Sequence, residues 1–364
     1  MARLTNISTM SDKTVDEWAA NDDVVRLRDW ATETIRPLPR PPMDECTVGA
    51  AETCGIRIDD RSGRVSRLHA RLVRDQGKWL LRDEGSKNGI WLDGSRRREI
   101  ALEPGAEIGI GGITLVAESK LSIALRSFLA RLVGWGKGRT EIVDLALRSV
   151  RMASTRRAAL ILCGDGDLVP IARSLHRRSR GLGQPFIVCD PRRHPGKETV
   201  RAAENQVMGL EALAAAAGGS VCVRTRRLPP DFRALVRELR DPGSRAQLIV
   251  CAAALEECER CRVAPILIPS LSDRRSEIDR IIAEYAEDAI TELAVPRSSF
   301  SPVDHAWVRE HASSSLNEIE KATLRLVALR ASRNLSHAAA RLGMAPVSLS
   351  RWIGRRELPF DLVE

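Results

Sequence analysis

The sequence predicts three domains in series: an all-β sandwich, an α/β domain and an all-α domain. Short alternating runs broken by Gly and Asp fill residues 47–118, which is typical of an all-β sandwich or barrel. From about residue 121, apolar runs that resemble buried parallel strands alternate with helical periodicity. The C-terminal part has helical periodicity only. A chain of 364 residues is long enough for two to three domains.

Composition excludes several classes of protein. Hydrophobic residues make up 43% and charged residues 29%, which excludes a largely disordered chain. The N-terminus has no signal-peptide core, and no apolar run is long enough to cross a membrane. The cysteines lie mostly in apolar runs, which is typical of reduced cysteines in a protein core, so we expect a cytoplasmic protein. We expect no membrane partner. Most of the basic residues that give the net charge of +9 are arginines. Arginine suits phosphate contacts, but a bias in the base composition of the gene would explain its excess equally well.

Residues 1–43 form a polar N-terminal segment that ends in a proline-dense stretch, Ile35–Pro42. Prolines at this density predict an extended linker. A short amphipathic helix around Val15–Thr34 is a further expectation, because Trp18 and Trp30 would share one face with Val25.

Three ordered motifs mark the β domain: Val65–Leu72, Asp83–Ile90 and Leu102–Ile110. Together they resemble a forkhead-associated (FHA) domain over residues 44–119. In that family, loops at one end of an eleven-strand sandwich bind phosphothreonine peptides. A protein that contains phosphothreonine is therefore the implied partner. The chemistry fits, since a phosphate needs charge-assisted donors held by a rigid scaffold.

The resemblance implies a peptide site in two loops. Ser66 matches the phosphate-contacting serine of the family, and Asn88 matches the asparagine that holds the peptide backbone. His69 matches a buttressing histidine, and Gly89 matches the turn glycine. Two cations flank these positions. The implied site residues are Ser66, Arg67, His69, Lys87, Asn88 and Gly89.

One position departs from the FHA pattern. Ala50 stands where the family usually has an arginine that grips the phosphate. A hydrogen bond to a charged group is worth roughly 1.5–3 kcal/mol, so its loss would weaken binding about ten- to a hundred-fold. Arg67 or Arg64 would then have to supply the charge. The alternative is a sandwich that makes protein contacts without recognising phosphate.

Residues 120–312 resemble a degenerate AAA+ domain with its lid. Segments such as Leu160–Gly164 and Ile266–Leu271 resemble the AAA+ domain of bacterial enhancer-binding proteins, the activators of sigma-N RNA polymerase. Such a domain implies a P-loop α/β fold. Leu168 replaces the phosphate-binding lysine, and Arg224 and Thr225 replace the acidic pair that handles magnesium and water. The sigma-binding loop is absent. We therefore expect no enzyme, no cofactor, no metal and no sigma-N contact.

A nuclease is the enzymatic alternative. Residues 158–170 also resemble the acidic loop of NYN-type, PIN-like nucleases, with Asp144, Asp165 and Asp167 as part of a metal cluster. That family needs an early acidic residue on its first strand, and none is evident. Cys258 and Cys261 have the spacing of zinc ligands, but no second pair lies nearby.

Residues 313–364 resemble the Fis-type helix-turn-helix that ends enhancer-binding proteins. An amphipathic helix over Glu318–Arg330 precedes Asn334–Ile353, which contains the turn and the third helix. In this motif the third helix enters the major groove of DNA. The implied DNA-binding residues are Arg341, Ser348, Ser350, Arg351, Arg355 and Arg356.

Three further features are expected of this C-terminal domain. Ser336 is predicted to cap the middle helix. The apolar face of Leu316–Leu329 is expected to serve both the domain and a second copy, which gives a homodimer. Trp352 is expected to pack between the two copies.

The sequence as a whole predicts a transcriptional regulator without ATPase activity. An FHA input that binds a phosphothreonine protein would be coupled to sequence-specific DNA binding. The alternative is an FHA signalling adaptor that no longer binds DNA, and the third possibility is the metal-dependent nuclease.

Overall fold

A computed structural model describes residues 22–136, 138–156, 158–181, 183–197, 202–241, 243–258, 263–356 and 358. The chain divides into two compact units, Met1–Arg126 and Ser127–Glu364. The predicted boundary between residues 312 and 313 falls inside the second unit. Among the helices of the described ranges, none is both long and apolar enough to cross a membrane.

The first unit is a β-sandwich. Its strands are β1 (Val24–Asp29), β2 (Ile35–Pro37), β3 (Glu45–Gly49), β4 (Ile56–Arg57), β5 (Ala70–Asp75), β6 (Lys78–Asp83), β7 (Ile90–Leu92), β8 (Ser95–Arg97), β9 (Glu99–Ala101), β10 (Glu107–Ile110) and β11 (Ile113–Ser119). One sheet has the order β2-β1-β11-β10-β7-β8, and the other has the order β4-β3-β5-β6-β9. Alternate apolar residues, Leu72, Leu81, Ile108 and Leu115 among them, face each other and form the core.

The N-terminal strands correct the predicted linker and helix. Residues 24–29 pair with β11, and residues 35–37 pair with β1, so the described part of the predicted segment 1–43 contributes two strands to the sandwich. The predicted helix over Val15–Thr34 is wrong from residue 22 onward, and its earlier part lies outside the described residues. Arg28 lies in β1 with its side chain buried, and its Nε donates to Oε1 of the equally buried Glu118 at 2.7 Å.

The second unit is built on a parallel sheet. Its strands are β12 (Leu160–Gly164), β13 (Phe186–Cys189), β14 (Glu204–Gln206), β15 (Ser220–Arg224), β16 (Gln247–Ala252) and β17 (Ile266–Ile268), in the order β14-β13-β15-β16-β12-β17. Every pairing in this sheet is parallel. The inner strands β13 and β16 are buried along their whole length, and β12 and β15 at all but their last residue, as expected for a sheet covered on both faces.

Helices complete the second unit. They are α1 (Lys120–Val133), which begins in the first unit, α2 (Arg139–Arg156), α3 (Val169–Arg180), α4 (Gly209–Ala216), α5 (Phe232–Leu239), α6 (Ile278–Leu293), α7 (Pro302–His311), α8 (Leu316–Arg330), α9 (Leu335–Arg341) and α10 (Pro346–Ile353). Short 3-10 turns lie at Thr225–Arg227, Leu255–Cys258, Leu271–Glu277 and Arg297–Ser299. The α/β architecture and the C-terminal helices agree with the predicted classes of structure.

The C-terminal helices confirm one expectation in part and correct two. The apolar face of α8 packs against α6, α7 and α9 of the same chain, as expected for the domain itself, and its use by a second copy stays a prediction. Trp352 packs inside the chain, edge-on to Trp307 with 6.0 Å between ring centroids. Asn334, not Ser336, caps α9, because its side chain accepts the N–H of His337 at 2.9 Å.

Candidate functional site

Three loops meet at one end of the sandwich. They are residues 50–55 after β3, residues 58–69 before β5, and residues 84–89 between β6 and β7. These loops carry all six residues that the sequence assigned to the peptide site. Loops anchored at both ends by strands hold their side chains more rigidly than free loops do.

His69 connects two of these loops through hydrogen bonds of its buried side chain. It is completely buried, and its Nδ1 lies 3.0 Å from the backbone nitrogen of Ser66. A backbone N–H can only donate, so Nδ1 is the acceptor and the proton resides on Nε2. Nε2 then donates to the carbonyl oxygen of Gly89 at 3.1 Å. The sequence-based role of His69 as a buttress therefore has a direct geometric basis.

Ser66 and Asn88 are brought together from separate loops. The backbone N–H of Lys87 donates to Ser66 Oγ at 3.1 Å. In return, Asn88 Nδ2 donates to the carbonyl oxygen of Arg64 at 2.7 Å. Both side chains remain partly exposed, and the Ser66 hydroxyl keeps its proton available to an incoming acceptor.

Gly89 ends the second loop in a conformation that needs glycine. Its φ is +70°, and a Cβ at this position would lie 2.2 Å from Nε of Arg96. Ser86 Oγ accepts the Gly89 N–H at 2.9 Å and donates to Asp83 at 2.5 Å. The turn is therefore fixed by side chains as well as by backbone.

The sequence-based prediction missed Asp60, which orders the loop that carries Ser66. Its carboxylate accepts the hydroxyl and the N–H of Ser62 and the N–H groups of Arg64 and Val65, at 2.5–2.8 Å. The Ser62 hydroxyl, followed by these backbone donors, lowers the pKa of Asp60 to about 2. The signal was available, since Asp followed by Ser and Gly is typical of a side-chain-stabilised turn.

The position of the missing arginine lies beside Ser66. The Ala50 N–H donates to the Ser66 carbonyl at 3.0 Å, and the Ala51 N–H donates to the Arg67 carbonyl at 3.1 Å. Gly49 permits this approach, because a Cβ there would lie 2.2 Å from the Arg67 carbonyl oxygen. Arg64 lies on the other side of Ser66, near the Gly111–Gly112 turn. Of the two candidate cations, Arg67 is the one whose backbone is bonded to the loop that contains Ala50.

Comparison with known proteins identifies this module. Residues 46–111 match the family model described as the FHA domain. The first unit therefore contains an FHA domain, and the strands β1, β2 and β11 of the sandwich lie outside the matched range. No curated protein matches the chain.

Three solved structures are similar to about a quarter of the chain. The FHA-1 domain of Rv1747 from Mycobacterium tuberculosis is 26% identical, over 27% of this chain and 97% of that chain, with a TM-score of 0.23. EmbR of M. tuberculosis, solved with a low-affinity phosphopeptide, is 26% identical over 26% of this chain and 24% of that chain, with a TM-score of 0.24. The FHA domain of an Arabidopsis thaliana protein is 24% identical over 27% of this chain and 86% of that chain, with a TM-score of 0.24.

In the second unit, an ion-pair network lies at the carboxyl edge of the parallel sheet, where open α/β sheets bind ligands. Arg224 ends β15 and donates to Asp167 Oδ1 at 2.9 Å and to Asp190 Oδ2 at 3.0 Å. Arg227 also donates to the buried Asp190, at 3.2 Å. Leu168, at the position aligned with the phosphate-binding lysine, is 3% exposed. The charges at this edge therefore neutralise one another.

Two of the three acidic residues of the nuclease alternative, Asp144 and Asp167, have contacts or burial within the fold. Asp144 is buried in α2, and Asp167 accepts the Val169 N–H at 3.2 Å at the start of α3. In the described ranges, no group of three or more His, Cys, Asp or Glu side chains is arranged to hold a metal. Cys261 of the candidate zinc pair lies outside the described residues.

The predicted DNA-binding residues lie on and around α10. Pro346 begins this helix, and Gly343, with a φ of +58°, forms the preceding turn. Leu349 is buried, whereas Ser348, Ser350, Arg351 and Arg355 are exposed on the opposite face. The other two residues have partners within the chain: Arg356 lies 5.0 Å over the Trp352 ring, and Arg341 donates to the Leu293 carbonyl at 3.3 Å.

Proposed function

We propose that the chain is a regulator that binds a phosphothreonine protein through its FHA domain and DNA through its C-terminal helices. The single observation that carries the peptide-binding part is the preorganised loop pair around His69. It presents the Ser66 hydroxyl and the Asn88 amide side by side without any need for rearrangement. Preorganised donors lose little entropy on binding, which favours affinity for a small anionic group.

Charge supports phosphate as the ligand. Phosphothreonine carries about −1.5 to −2 charges at neutral pH. Arg67 and Lys87 are exposed beside Ser66, and Arg64 is exposed on its other side. Arg67 takes the role of the absent family arginine in this proposal, because its backbone is bonded to the loop that contains Ala50.

Binding to peptides tests this proposal directly. Fluorescence anisotropy would compare libraries of phosphothreonine peptides with the same peptides lacking phosphate. We expect phosphate-dependent binding that Arg67→Ala weakens. Arg82→Ala is the matched control, because Arg82 is exposed on β6 and pairs with Glu99, whereas Arg67 flanks Ser66. Equal binding of both libraries would leave the domain as a structural sandwich.

The DNA-binding part rests on the surface of α10. A short helix that follows a glycine turn and exposes two serines and an arginine suits insertion into a major groove. Arg355, just beyond the helix end, adds a cation that would meet phosphates. Mobility shifts at several salt concentrations would test it, since phosphate contacts make affinity fall steeply with salt. Absence of salt-sensitive binding would favour the signalling adaptor.

We also propose that the α/β domain is a scaffold without ATPase or nuclease activity. Its support is the Arg224 network, which places a cation where a magnesium-binding carboxylate would be needed. A degenerate AAA+ domain of the enhancer-binding type is our assignment for this scaffold. Its parallel sheet and the acidic loop after β12 agree with that assignment.

A further inference from the structure

An exposed tryptophan lies next to the proposed peptide site and has no role in binding phosphate. Trp91 is 41% exposed on β7, and its Nε1 donates to the carbonyl oxygen of Asn88 at 2.9 Å. Gly109 of β10 lies directly opposite, and a Cβ there would be 3.1 Å from Cβ of Trp91. The indole is thus held in one orientation, with part of its surface open to solvent.

Arg96 lies beside this tryptophan, and its side chain is also held by contacts within the chain. It is opposite Trp91 in the β7–β8 pairing, so both side chains lie on the same face of the sheet. Its guanidinium crosses Gly89 and reaches the carbonyl oxygen of Ser86 at 3.5 Å. Arg96 remains exposed, so its other donors are accessible to a ligand.

These two residues continue the site away from the phosphate position. Asn88 contacts Trp91 through its carbonyl, and the loop Ser86–Gly89 contacts Arg96. A peptide that is held at Asn88 therefore passes next to a fixed cation and a fixed aromatic ring. An arginine suits a carboxylate, and an open indole face suits an aromatic or large apolar side chain.

We infer that Arg96 and Trp91 form a specificity extension of the peptide site. Its ligand is the segment that flanks the phosphothreonine, with one acidic and one aromatic or large apolar side chain. This inference rests on the proposed phosphopeptide function. It adds the class of peptide, which the phosphate-binding residues alone leave open.

The test uses the full-length protein and a phosphothreonine peptide library with randomised flanking positions. The wild-type protein should enrich acidic and aromatic residues at fixed distances from the phosphothreonine. Arg96→Gln should remove the acidic preference, with a loss of about threefold to fivefold on acidic peptides, as for an exposed ion pair. Trp91→Ala should remove the aromatic preference, with a loss of about tenfold.

Two controls separate the possible failures. A phosphothreonine peptide with alanine at every flanking position should bind the wild-type protein and both variants equally, which also shows that the variants fold. Arg97→Gln should leave the preferences unchanged. Arg97 is opposite the core residue Ile90 in the β7–β8 pairing, so it lies on the other face of these strands from Arg96 and Trp91. Phosphate-dependent binding with preferences unaltered by Arg96→Gln and Trp91→Ala would overturn this inference alone. Absence of phosphate dependence in the wild type would overturn the proposed function as well.

Discussion

Replacement of Ser66 by alanine is the most informative single change in the FHA domain. The hydroxyl accepts the Lys87 N–H in the structure, and in the proposed function it also donates its own proton to the phosphate. Ser66→Ala removes both roles but leaves the backbone bond to His69 intact. The loop should therefore keep its overall course while it loses its contact with phosphate.

The expected loss of affinity follows from these two contacts. A hydrogen bond to a charged phosphate is worth roughly 1.5–3 kcal/mol, and the tie to Lys87 adds about 0.5–1.5 kcal/mol. Together they predict a rise in Kd of roughly 30-fold to 1,600-fold, since each 1.4 kcal/mol is tenfold. Anisotropy with a labelled phosphothreonine peptide measures this range directly.

Ser95→Ala is the matched control for this experiment. Ser95 is an exposed serine on β8, and it pairs with Leu92 at the end of the hairpin away from Gly89. It should bind the peptide as the wild type does. If Ser66→Ala also keeps its Kd within about threefold, the phosphate is not held by this hydroxyl, and the assignment of the site is wrong.

Four other outcomes are expected. Ala50→Arg should tighten phosphopeptide binding about tenfold by adding a charged hydrogen bond; an unchanged Kd would place the phosphate elsewhere. Calorimetry with magnesium and millimolar ATP should show no binding, because Arg224 occupies the carboxyl edge; a clear isotherm would contradict this. Arg351→Ala should lower the salt dependence of DNA affinity by about one phosphate contact, and an unaltered slope would remove Arg351 from the interface. Burial, followed by repulsion from Glu292, raises the pKa of Glu320 to about 7. Its ionised form is therefore disfavoured in the folded state, and stability falls as pH rises from about 4.5 to 7. Glu320→Gln should raise the Tm by about 3 °C at pH 8 and by less at pH 5, and equal shifts at both would argue against titration of this carboxyl.

The juxtaposition of the two loops that carry the proposed peptide site was predictable because its signals are local. Ser66 and His69 are three residues apart in one loop, and Asn88 and Gly89 are adjacent in the other. Short motifs of this kind fix turn geometry and hydrogen bonds within a few residues. The role of Arg96 was not predictable in this way, because it depends on the pairing of β7 with β8.

The N-terminal strands were missed because their partners are distant in sequence. Val24–Asp29 pairs with Ile113–Ser119, and nothing within residues 22–37 reveals that partner. The residues next to Arg28 in sequence would place its side chain on the surface. In the fold it is buried, and Glu118 neutralises it. Long-range pairing thus overrode a local pattern that favoured a helix.

The face of α8 illustrates the same limit in the second unit. A wide apolar face predicts that something covers it, but the sequence does not say whether the cover is a second copy or the same chain. In the structure, α6 supplies much of that cover. The predicted burial of this face within its own domain is confirmed, and the second copy stays a prediction.

The Arg224 network neutralises the carboxyl edge of the parallel sheet from within the chain. Carboxylates that are left unpaired at the edge of a magnesium site repel one another when no cation is bound. Burial of each unpaired charge lowers the stability of the fold by several kcal/mol. Here the side chain of Asp190 is 1% exposed, yet it is bonded to both Arg224 and Arg227. Asp167 shares the Arg224 guanidinium from the neighbouring loop. The cations that balance Asp190 and Asp167 are thus supplied by the chain itself, so the charges of this edge are paired without a ligand, as the proposed scaffold role requires.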